Sequence, residues 1–506
     1  MKNFTVKLLV LLWIAFSSNS FSQRVKSNSQ KLGAKQTIIA KFQNQLDSIF
    51  NDPNFTNAIW GVVIQSLETG EYMYKRNENI SLMPASNMKL FTTATALAIL
   101  GPDYKYATHL LTNGKIEGNT IKGDLIIKGS GDPTFPRKNE KDTLDLLFSS
   151  WIDSLKNLGI TKIQGDIIGD DDCFDDQSLG IGWSWDDEAY GYSAPTSGLC
   201  YNDNCVRLSI SPGQDVGSSA EIEMVPNTKY ITLQNRIKTV PRDTSTNIDY
   251  HRKSGTNIID VFGNISLGRR TRRESLSIHN PTLYAATILK EMLEKAGISV
   301  SGSAMDIDDV DSKKPNIIYQ RLNSNSSVPL LEIIKTINKI SQNLYAEQVL
   351  RTLGKEFNGI GSLKKSVEIE KKFLSEIGVD TNKIKIVDGS GLSRLNLVTP
   401  MNVLSVLKHM YRHKYWNEFY NSLPIAGVDG TLDSRMKNSE AAGNVRAKTG
   451  LVNYVRSLSG YVTSKDGEMF VFSMIANNYT VPTSFANSIQ DSVCIRLANF
   501  SRKYER

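Results

Sequence analysis

Cysteine and histidine are scarce in this sequence, which limits the kinds of site that it can contain. There are four cysteines and five histidines in 506 residues. Zinc ligands recur at short, regular spacings, and no histidine lies close to any cysteine, so a zinc site is disfavoured. More than one complete disulfide pairing is open to Cys173, Cys200, Cys205 and Cys494, although Cys200 and Cys205 are close enough to close a small loop.

Long hydrophobic runs are missing after the first 22 residues. At the start of the chain, Lys2 and Lys7 precede the apolar run LLVLLWIAF, and the polar stretch SSNSFSQ follows. This layout is typical of a secretory signal peptide, which we place at 1–22 with cleavage after Ser22. The run is too short to span a bilayer comfortably, and no cysteine nearby could carry a lipid. We expect an exported mature protein without a transmembrane segment, an uncleaved anchor being the alternative.

A strong net charge is also absent. The formal charge is +7 over the whole chain, which is too small an excess to indicate a nucleic-acid partner. The one dense basic run contains Arg269, Arg270, Arg272 and Arg273, and we interpret it as an exposed loop. The composition, 40% hydrophobic and 22% charged, is that of a globular protein, and the length favours two or three domains.

Both ends of the chain show the same kinds of element. Near the start, an amphipathic helix over 36–50 is followed by a β-hairpin that turns at 68–70 and by an apolar helix that stops at Gly101-Pro102. Near the end, a hairpin turning at Asp466-Gly467 precedes an amphipathic helix. A single α/β domain assembled from both chain ends explains this symmetry.

The middle of the chain has a different texture. Residues from about 105 to 325 form short alternating runs separated by Gly, Asn and Pro, with helices predicted over 143–157 and 281–296. Longer helical patterns return after 328. We therefore predict one or two β-rich domains inserted into the α/β domain.

The stretch PASNMKLFTTATAL places Ser86 three residues before Lys89, at the head of an apolar helix. Residues three apart share a helix face, so the hydroxyl and the amine can meet. Serine needs a base to become a nucleophile, and lysine can be that base only when it is neutral. Burial and a second cation, for which Lys448 is a candidate, lower a lysine pKa enough. Alone, the pattern is weak, since an exposed serine and a surface lysine often share this spacing.

Two later motifs strengthen this interpretation. Ser341 and Asn343 lie at a predicted break between two helices, where a hydroxyl can relay a proton and an amide can hold a carbonyl. Lys448, Thr449 and Gly450 begin a predicted edge strand, which an extended peptide can join by β-pairing. The lysine and threonine would bind a terminal carboxylate there, and the glycine would leave room for close approach. S-x-x-K, S-x-N and K-T-G in this order form the penicilloyl-serine transferase set.

With these motifs, and with the segments GDLIIKGSGDPTF, DGSGLSRLN and LPIAGVDGTLDSRM, the chain resembles the low-molecular-mass class C penicillin-binding proteins, the D-alanyl-D-alanine carboxypeptidase/endopeptidase family. The resemblance implies a periplasmic enzyme that hydrolyses peptidoglycan stem peptides, and cross-links too, through an acyl-serine that β-lactams also form. No metal or cofactor is implied.

The resemblance also implies a division of the chain and of the catalytic roles. It implies a penicillin-binding transpeptidase-like α/β domain, an antiparallel sheet with helices on both faces and an all-helical part, over 24–107 and 325–506. Domain II would take 108–132 and 229–324, and a nested domain III would take 133–228. The implied roles are nucleophile for Ser86, base for Lys89, proton shuttle for Ser341, acyl-amide binding for Asn343 and carboxylate binding for Lys448 with Thr449.

Further residues concern the oxyanion and the substrate side chain. The oxyanion hole would use the backbone N–H groups of Ser86 and Leu451. Leu451 departs from the serine or threonine common in the family, which removes one hydroxyl contact to the carboxylate. Arg394, Asp186 and Asp187 are candidates for gripping a charged diamino-acid side chain, structural ion pairs or solvated loops being the alternative.

Three other functions fit the sequence less well than this one. A β-lactamase shares the acylation chemistry, but the class A pattern has a much shorter gap between its first two motifs and an E-x-x-L-N element that is missing here. A catalytically silent wall-binding scaffold is disfavoured by the intact serines and lysines. A Ser-His-Asp hydrolase is disfavoured because no G-x-S-x-G elbow occurs.

Overall fold

The computed structural model describes residues 37–136, 146–310 and 319–503, so the predicted signal peptide lies outside the described residues. The helices, numbered along the chain, are α1 (37–50), α2 (Met88–Leu100), α3 (Leu146–Asn157), α4 (Pro281–Lys295), α5 (Leu330–Lys339), α6 (Asn343–Asn358), α7 (Leu363–Glu376), α8 (Pro400–Arg412), α9 (Trp416–Ser422) and α10 (Thr483–Ala498).

The strands are β1 (Ile59–Ser66), β2 (Tyr72–Arg76), β3 (Ala107–Thr112), β4 (Lys115–Glu117), β5 (Thr120–Lys122), β6 (Leu125–Lys128), β7 (Lys162–Ile163), β8 (Ile167–Asp170), β9 (Cys205–Ser211), β10 (Glu221–Val225), β11 (Thr232–Val240), β12 (Asn247–Arg252), β13 (Ile258–Ser266), β14 (Arg272–Ser277), β15 (Ser299–Val300), β16 (Ala304–Asp306), β17 (Gln320–Ser326), β18 (Arg446–Val452), β19 (Val455–Thr463) and β20 (Met469–Asn477).

A five-stranded antiparallel sheet joins the two ends of the chain, in the order β18-β19-β20-β1-β2. The predicted hairpins are both present, one as β1–β2 and the other as β19–β20. Because β1 and β20 pair over their whole length, residues about four hundred positions apart share one sheet. The predicted α/β fold is confirmed, and it leaves β18 as an edge strand.

Alternation along the central strands gives the sheet two different cores. Val62 and Ile64 of β1 pack in a cluster with α1 and α10, whereas Val63 between them faces a second cluster that contains α2, α5, α6 and α8. Successive strand residues point to opposite faces, so a continuous apolar run is what a sheet covered on both sides requires. Helix α2 therefore lies in the second core, with ten of its residues buried.

The insert between β3 and β17 is β-rich, as predicted, and has a core of its own. Its sheets mix parallel and antiparallel pairs; β8, for example, pairs in parallel with both β6 and β16. Strands β7 and β8 belong to the range 133–228 and pair with strands of the flanking ranges. The boundaries of domain III at 133 and 228 stay a prediction. The pairing of β7 and β8 joins residues on the two sides of these boundaries.

Two further observations concern the cysteines and the apolar character of the helices. None of the four cysteines, all of which are described, forms a disulfide, so the small loop suggested for Cys200 and Cys205 is not closed. The Cys200 thiol instead accepts a hydrogen bond from Gln348 Nε2 at 2.9 Å. Among the described residues, no helix combines the length and the apolar character that crossing a bilayer requires.

Candidate active site

Ser86 lies on a short 3₁₀ turn, Ala85–Asn87, that leads directly into α2. The sequence predicts the serine on the helix itself, whereas the helix begins two residues later, after a turn in which Ala85 has a left-handed backbone with φ of 47°. The turn is clamped from the sheet side, where Asn87 Nδ2 donates to the Lys448 carbonyl at 2.9 Å and Ser457 Oγ donates to the Pro84 carbonyl at 2.7 Å. Ser86 itself is partly exposed.

Lys89 is completely buried beneath this serine, with 0% of its surface exposed. Its Nζ lies 3.0 Å from Ser86 Oγ. The same nitrogen donates to Asn343 Oδ1 at 2.6 Å and to the Ser390 carbonyl at 2.7 Å. A neutral amine has two N–H donors and one lone pair. The two acceptors use both donors, which leaves the lone pair for the Ser86 hydroxyl.

Burial of Lys89 favours this neutral form. Burial lowers the pKa of Lys89 to about 7, while the carboxylates of Asp388 and Glu347 act in the opposite direction. Loss of water disfavours the charged form of an amine more than these neighbours restore it. About half of the molecules would therefore carry an uncharged Lys89 at neutral pH.

A second serine–lysine pair faces the first. Ser341 lies between α5 and α6 with a left-handed backbone, φ of 62°, and its Oγ accepts a hydrogen bond from Lys448 Nζ at 2.9 Å. Lys448 is also fully buried, and it donates to the Thr449 carbonyl at 2.8 Å. Burial and the nearby charge of Lys89 lower the pKa of Lys448 well below its ordinary value.

Asn343 connects the catalytic centre to the insert. As the first residue of α6 it accepts from Lys89 through Oδ1, and its Nδ2 donates to the backbone carbonyl of Tyr192 at 2.7 Å. The insert makes another contact nearby, where Trp183 Nε1 donates to Asp388 Oδ2 at 3.0 Å. A substrate carbonyl that used the Asn343 amide would have to displace the Tyr192 carbonyl.

The edge strand β18 forms one wall of the site. Gly450 passes so close to the serine turn that a Cβ there would lie 2.9 Å from Ser86 N and 2.2 Å from Ser457 Oγ. Only glycine allows this approach. Thr449 Oγ1 donates to Thr431 Oγ1 at 2.7 Å, which adds a second hydroxyl to the wall. The next side chain, Leu451, is 53% exposed.

The three charged candidates for the substrate side chain lie outside this centre. Arg394 is exposed and donates to the Asn453 carbonyl at 2.9 Å, in the turn that joins β18 to β19. Asp186 is exposed and accepts from Ser184 Oγ. Asp187 accepts from Tyr192 Oη at 2.6 Å and is therefore connected to Asn343 through one residue. Their proposed role in substrate binding stays a prediction.

Several residues of the site were not singled out from the sequence. Glu347, one turn after Asn343 on α6, accepts the backbone N–H of Ser390 at 2.7 Å and that of Gly389 at 3.1 Å, so it fixes the carbonyl that Lys89 uses. Burial raises the pKa of Glu347 to about 7. Asp388 and Ser390 belong to the segment DGSGLSRLN, whose glycines were the sequence feature that could have pointed to them. Glu347 had none.

One group of carboxylates outside this site has the spacing of metal ligands. Asp171, Asp306 and Asp308 of the insert place oxygens within 4.8 Å of one another. Protein donors already bind two of them, since Thr282 Oγ1 donates to Asp171 and Asn280 Nδ2 donates to Asp306.

A serine hydroxyl facing a buried lysine, with a second serine–lysine pair and an edge strand beside it, is typical of serine hydrolases that use lysine as their base. The family model for the D-Ala-D-Ala carboxypeptidase 3 (S13) family matches residues 42–500. The chain belongs to this family.

Individual relatives agree with this assignment. The "D-alanyl-D-alanine carboxypeptidase" of Actinomadura sp. (strain R39) is 32% identical over 474 residues, which cover 92% of this chain and 85% of the relative. The crystal structure of penicillin binding protein 4 (dacB) from Haemophilus influenzae matches with a TM-score of 0.78 and 25% identity, over 90% of this chain and 99% of that one. A structure of the same protein "complexed with novel beta-lactam" matches with a TM-score of 0.73 and 24% identity, over the same shares.

Proposed function

We propose that this protein is an exported serine-type D-alanyl-D-alanine carboxypeptidase that also has DD-endopeptidase activity on peptidoglycan cross-links. The observation that carries the proposal is the hydrogen bonding of Lys89, whose two N–H donors are used by Asn343 and Ser390 while its nitrogen lies 3.0 Å from Ser86 Oγ. This geometry suits a neutral amine that takes a proton from serine. Family membership supports the same reaction.

Acylation begins when Lys89 accepts the proton of Ser86. The Ser86 oxygen forms a bond to the carbonyl carbon of the penultimate D-alanine, and the developing oxyanion accepts from the backbone N–H groups of Ser86 and Leu451. Ser341 accepts from Lys448, so its own hydrogen is free to go to the leaving amine. The C–N bond breaks, Ser341 regains a proton from Lys448, and the terminal D-alanine departs.

Deacylation runs the same transfers in reverse. Water gives a proton through Ser341 to the now neutral Lys448 while its oxygen bonds to the acyl carbon. The Ser86 oxygen leaves and takes back the proton held by Lys89. The cycle therefore ends with both lysines in their starting states and with a shortened stem peptide as product.

Substrate is expected to lie along β18 as an additional strand. The outer edge of β18 is available from Thr449 onward, and an extended peptide can pair with it through backbone hydrogen bonds. Thr449 and Thr431 offer hydroxyls to the terminal carboxylate, while Lys448 supplies positive charge from behind. That carboxylate would raise the pKa of Lys448 and keep it charged while Lys89 is neutral. Penicillin, with a carboxylate and a reactive amide carbonyl, would acylate Ser86 in the same pose.

Two measurements test the proposal. Chromatography of the products from a defined pentapeptide stem and from a cross-linked dimer should show release of the terminal D-alanine and cleavage of the cross-link. Fluorescent penicillin should label the purified protein covalently, and Ser86→Ala should remove the label without changing the circular dichroism spectrum. Equal labelling of the two proteins would exclude Ser86 as nucleophile, and intact substrates with normal labelling would exclude the hydrolase activity.

A further inference from the structure

One end of the three-stranded sheet β11-β13-β12 carries a group of exposed arginines that the catalytic site does not use. Arg242 lies in the loop between β11 and β12, and Arg269 and Arg270 lie in the loop between β13 and β14. Arg272 is the first residue of β14. We call these four residues the arginine patch. Three of them belong to the basic run that the sequence predicts as an exposed loop; all four residues of that run are exposed, but Arg272 and Arg273 begin strand β14.

The two loops are fixed against each other by hydrogen bonds. Leu267 N donates to the Val240 carbonyl at 2.8 Å, and the hydroxyls of Thr246 and Ser266 are 2.9 Å apart. The guanidinium of Arg242 lies over Gly268, where a Cβ would be 3.2 Å from it. Because Gly268 has no side chain and a φ of +79°, the loop can turn beneath the arginine.

The charges of the patch are mostly uncompensated within the described part of the chain. Arg272 forms an ion pair with Glu274, whereas Arg242, Arg269 and Arg270 form no ion pair with any described residue. Asp243 lies in the same loop and is the only acidic residue in 241–246 and 267–272. Exposed like charges held close together repel one another, so an anion that binds them all is stabilised.

The surface around the patch is concave and rich in hydroxyls. Two adjoining open cavities of about 620 and 610 Å³ share Thr246, Gly268 and Arg269 as lining residues. The first is also lined by Arg242, Asp243, Thr244, Ser245 and Ser266, and the second by Arg270, Thr271 and Arg272. Guanidinium forks combined with hydroxyl donors are the groups that bind phosphate oxygens best.

We propose that the arginine patch is a binding site for successive phosphate groups of a linear phosphate-containing polymer. Two cavities side by side suit successive phosphates of one chain. The apolar side chains near the patch are few: Leu267 is half-buried, and Val216, in the neighbouring loop that hydrogen-bonds to Thr239, is exposed. A bilayer is the less favoured source of phosphate, because one exposed valine is too small an apolar surface to enter it. Neither cavity is lined by Ser86, Lys89, Ser341 or Lys448, so the patch would hold the protein on a polymer without taking part in hydrolysis.

Binding of fluorescently labelled inorganic polyphosphate to the full-length mature protein tests the proposal by fluorescence anisotropy. The triple variant Arg242→Ala/Arg269→Ala/Arg270→Ala should bind at least about tenfold more weakly than the wild type, with a shallower dependence on salt, since each lost phosphate contact removes counterion release. The matched control Lys105→Ala/Lys364→Ala/Lys372→Ala loses the same charge from exposed positions elsewhere and should bind like the wild type. Penicillin labelling should be equal in all three proteins.

The other ligands separate phosphate recognition from charge alone. Polyglutamate of similar length should bind at least about tenfold more weakly than polyphosphate, and vesicles of phosphatidylglycerol with phosphatidylcholine should not retain the protein at physiological salt. Equal weakening in the two triple variants, equal binding of polyglutamate, or retention on vesicles without binding of polyphosphate would each overturn the proposal.

Discussion

The buried position of Lys89 leads to a specific prediction for the pH dependence of acylation. If only neutral Lys89 can accept the proton of Ser86, the rate of penicillin acylation follows the uncharged fraction of this lysine. With a pKa of about 7, the rate should rise by about fifty-fold between pH 5 and pH 7 and level off above about pH 8. The sign follows from burial, which disfavours the charged form and moves the midpoint downward.

The magnitude can be compared with that of an exposed lysine. With an ordinary pKa of 10.5, a lysine is neutral in about one molecule in 3,000 at pH 7, whereas Lys89 is neutral in about one molecule in two. Burial thus increases the population of neutral Lys89 at pH 7 by about a thousandfold, which corresponds to a free energy on the order of 4–5 kcal/mol. The structural source is the complete burial of the Lys89 side chain, which is 0% exposed.

Stopped-flow labelling with fluorescent penicillin from pH 5 to pH 9 measures this profile directly. Lys89→Met, which fills the same volume without a base, should acylate at least a thousandfold more slowly while its circular dichroism spectrum is unchanged. The exposed control Lys364→Ala should reproduce the wild-type curve. A flat profile between pH 5 and pH 8, or normal acylation by Lys89→Met, would refute the assignment of Lys89 as base.

Three further changes test the support of this site. Glu347→Gln removes a charge that raises the pKa of Lys89 and replaces one of the two acceptor oxygens that face the Gly389 and Ser390 N–H groups with an NH2 donor, so acylation should slow by about tenfold and its midpoint should move to lower pH in the same stopped-flow assay. Gly391→Ala should lower the free energy of unfolding by at least about 2 kcal/mol in urea, because its φ is +81° and a Cβ would lie 1.9 Å from the Ala85 carbonyl oxygen. Leu451→Thr should lower the KM for a stem peptide about threefold to tenfold with kcat little changed, since it adds a hydroxyl beside the carboxylate position.

Each of these changes has a control or a contradicting result. Gly378 has a similar φ of +82° but nothing within 4 Å of its Cβ position, so Gly378→Ala should cost only the backbone term of about 1–2 kcal/mol. Equal losses at the two glycines would show that the serine turn does not constrain Gly391. A Glu347→Gln midpoint at unchanged or higher pH, or a Leu451→Thr enzyme with unchanged KM, would contradict the reasoning for those sites.

Local patterns were sufficient for most elements of the fold. Alternating apolar residues with short turns predicted two of the three hairpins of the central sheet, β1–β2 and β19–β20 but not β18–β19, and Gly101 marked the end of α2. Patterns were less informative in the insert, where β7 and β8 pair with strands more than forty residues distant. Such pairing depends on the cores that strands share, and no short window of sequence contains that information.

The motifs by themselves predicted which residues could do chemistry, because a serine, a lysine and a second serine–lysine pair occur in a specific order along the chain. Only the tertiary structure decided how they are placed. The turn at Ala85, the edge position of β18 and the insertion of Tyr192 beside Asn343 all arise from contacts between distant segments. The lowered pKa of Lys89 is likewise a property of the folded protein, because the burial that produces it occurs only when α2, α6 and the Ser390 loop close around one amine.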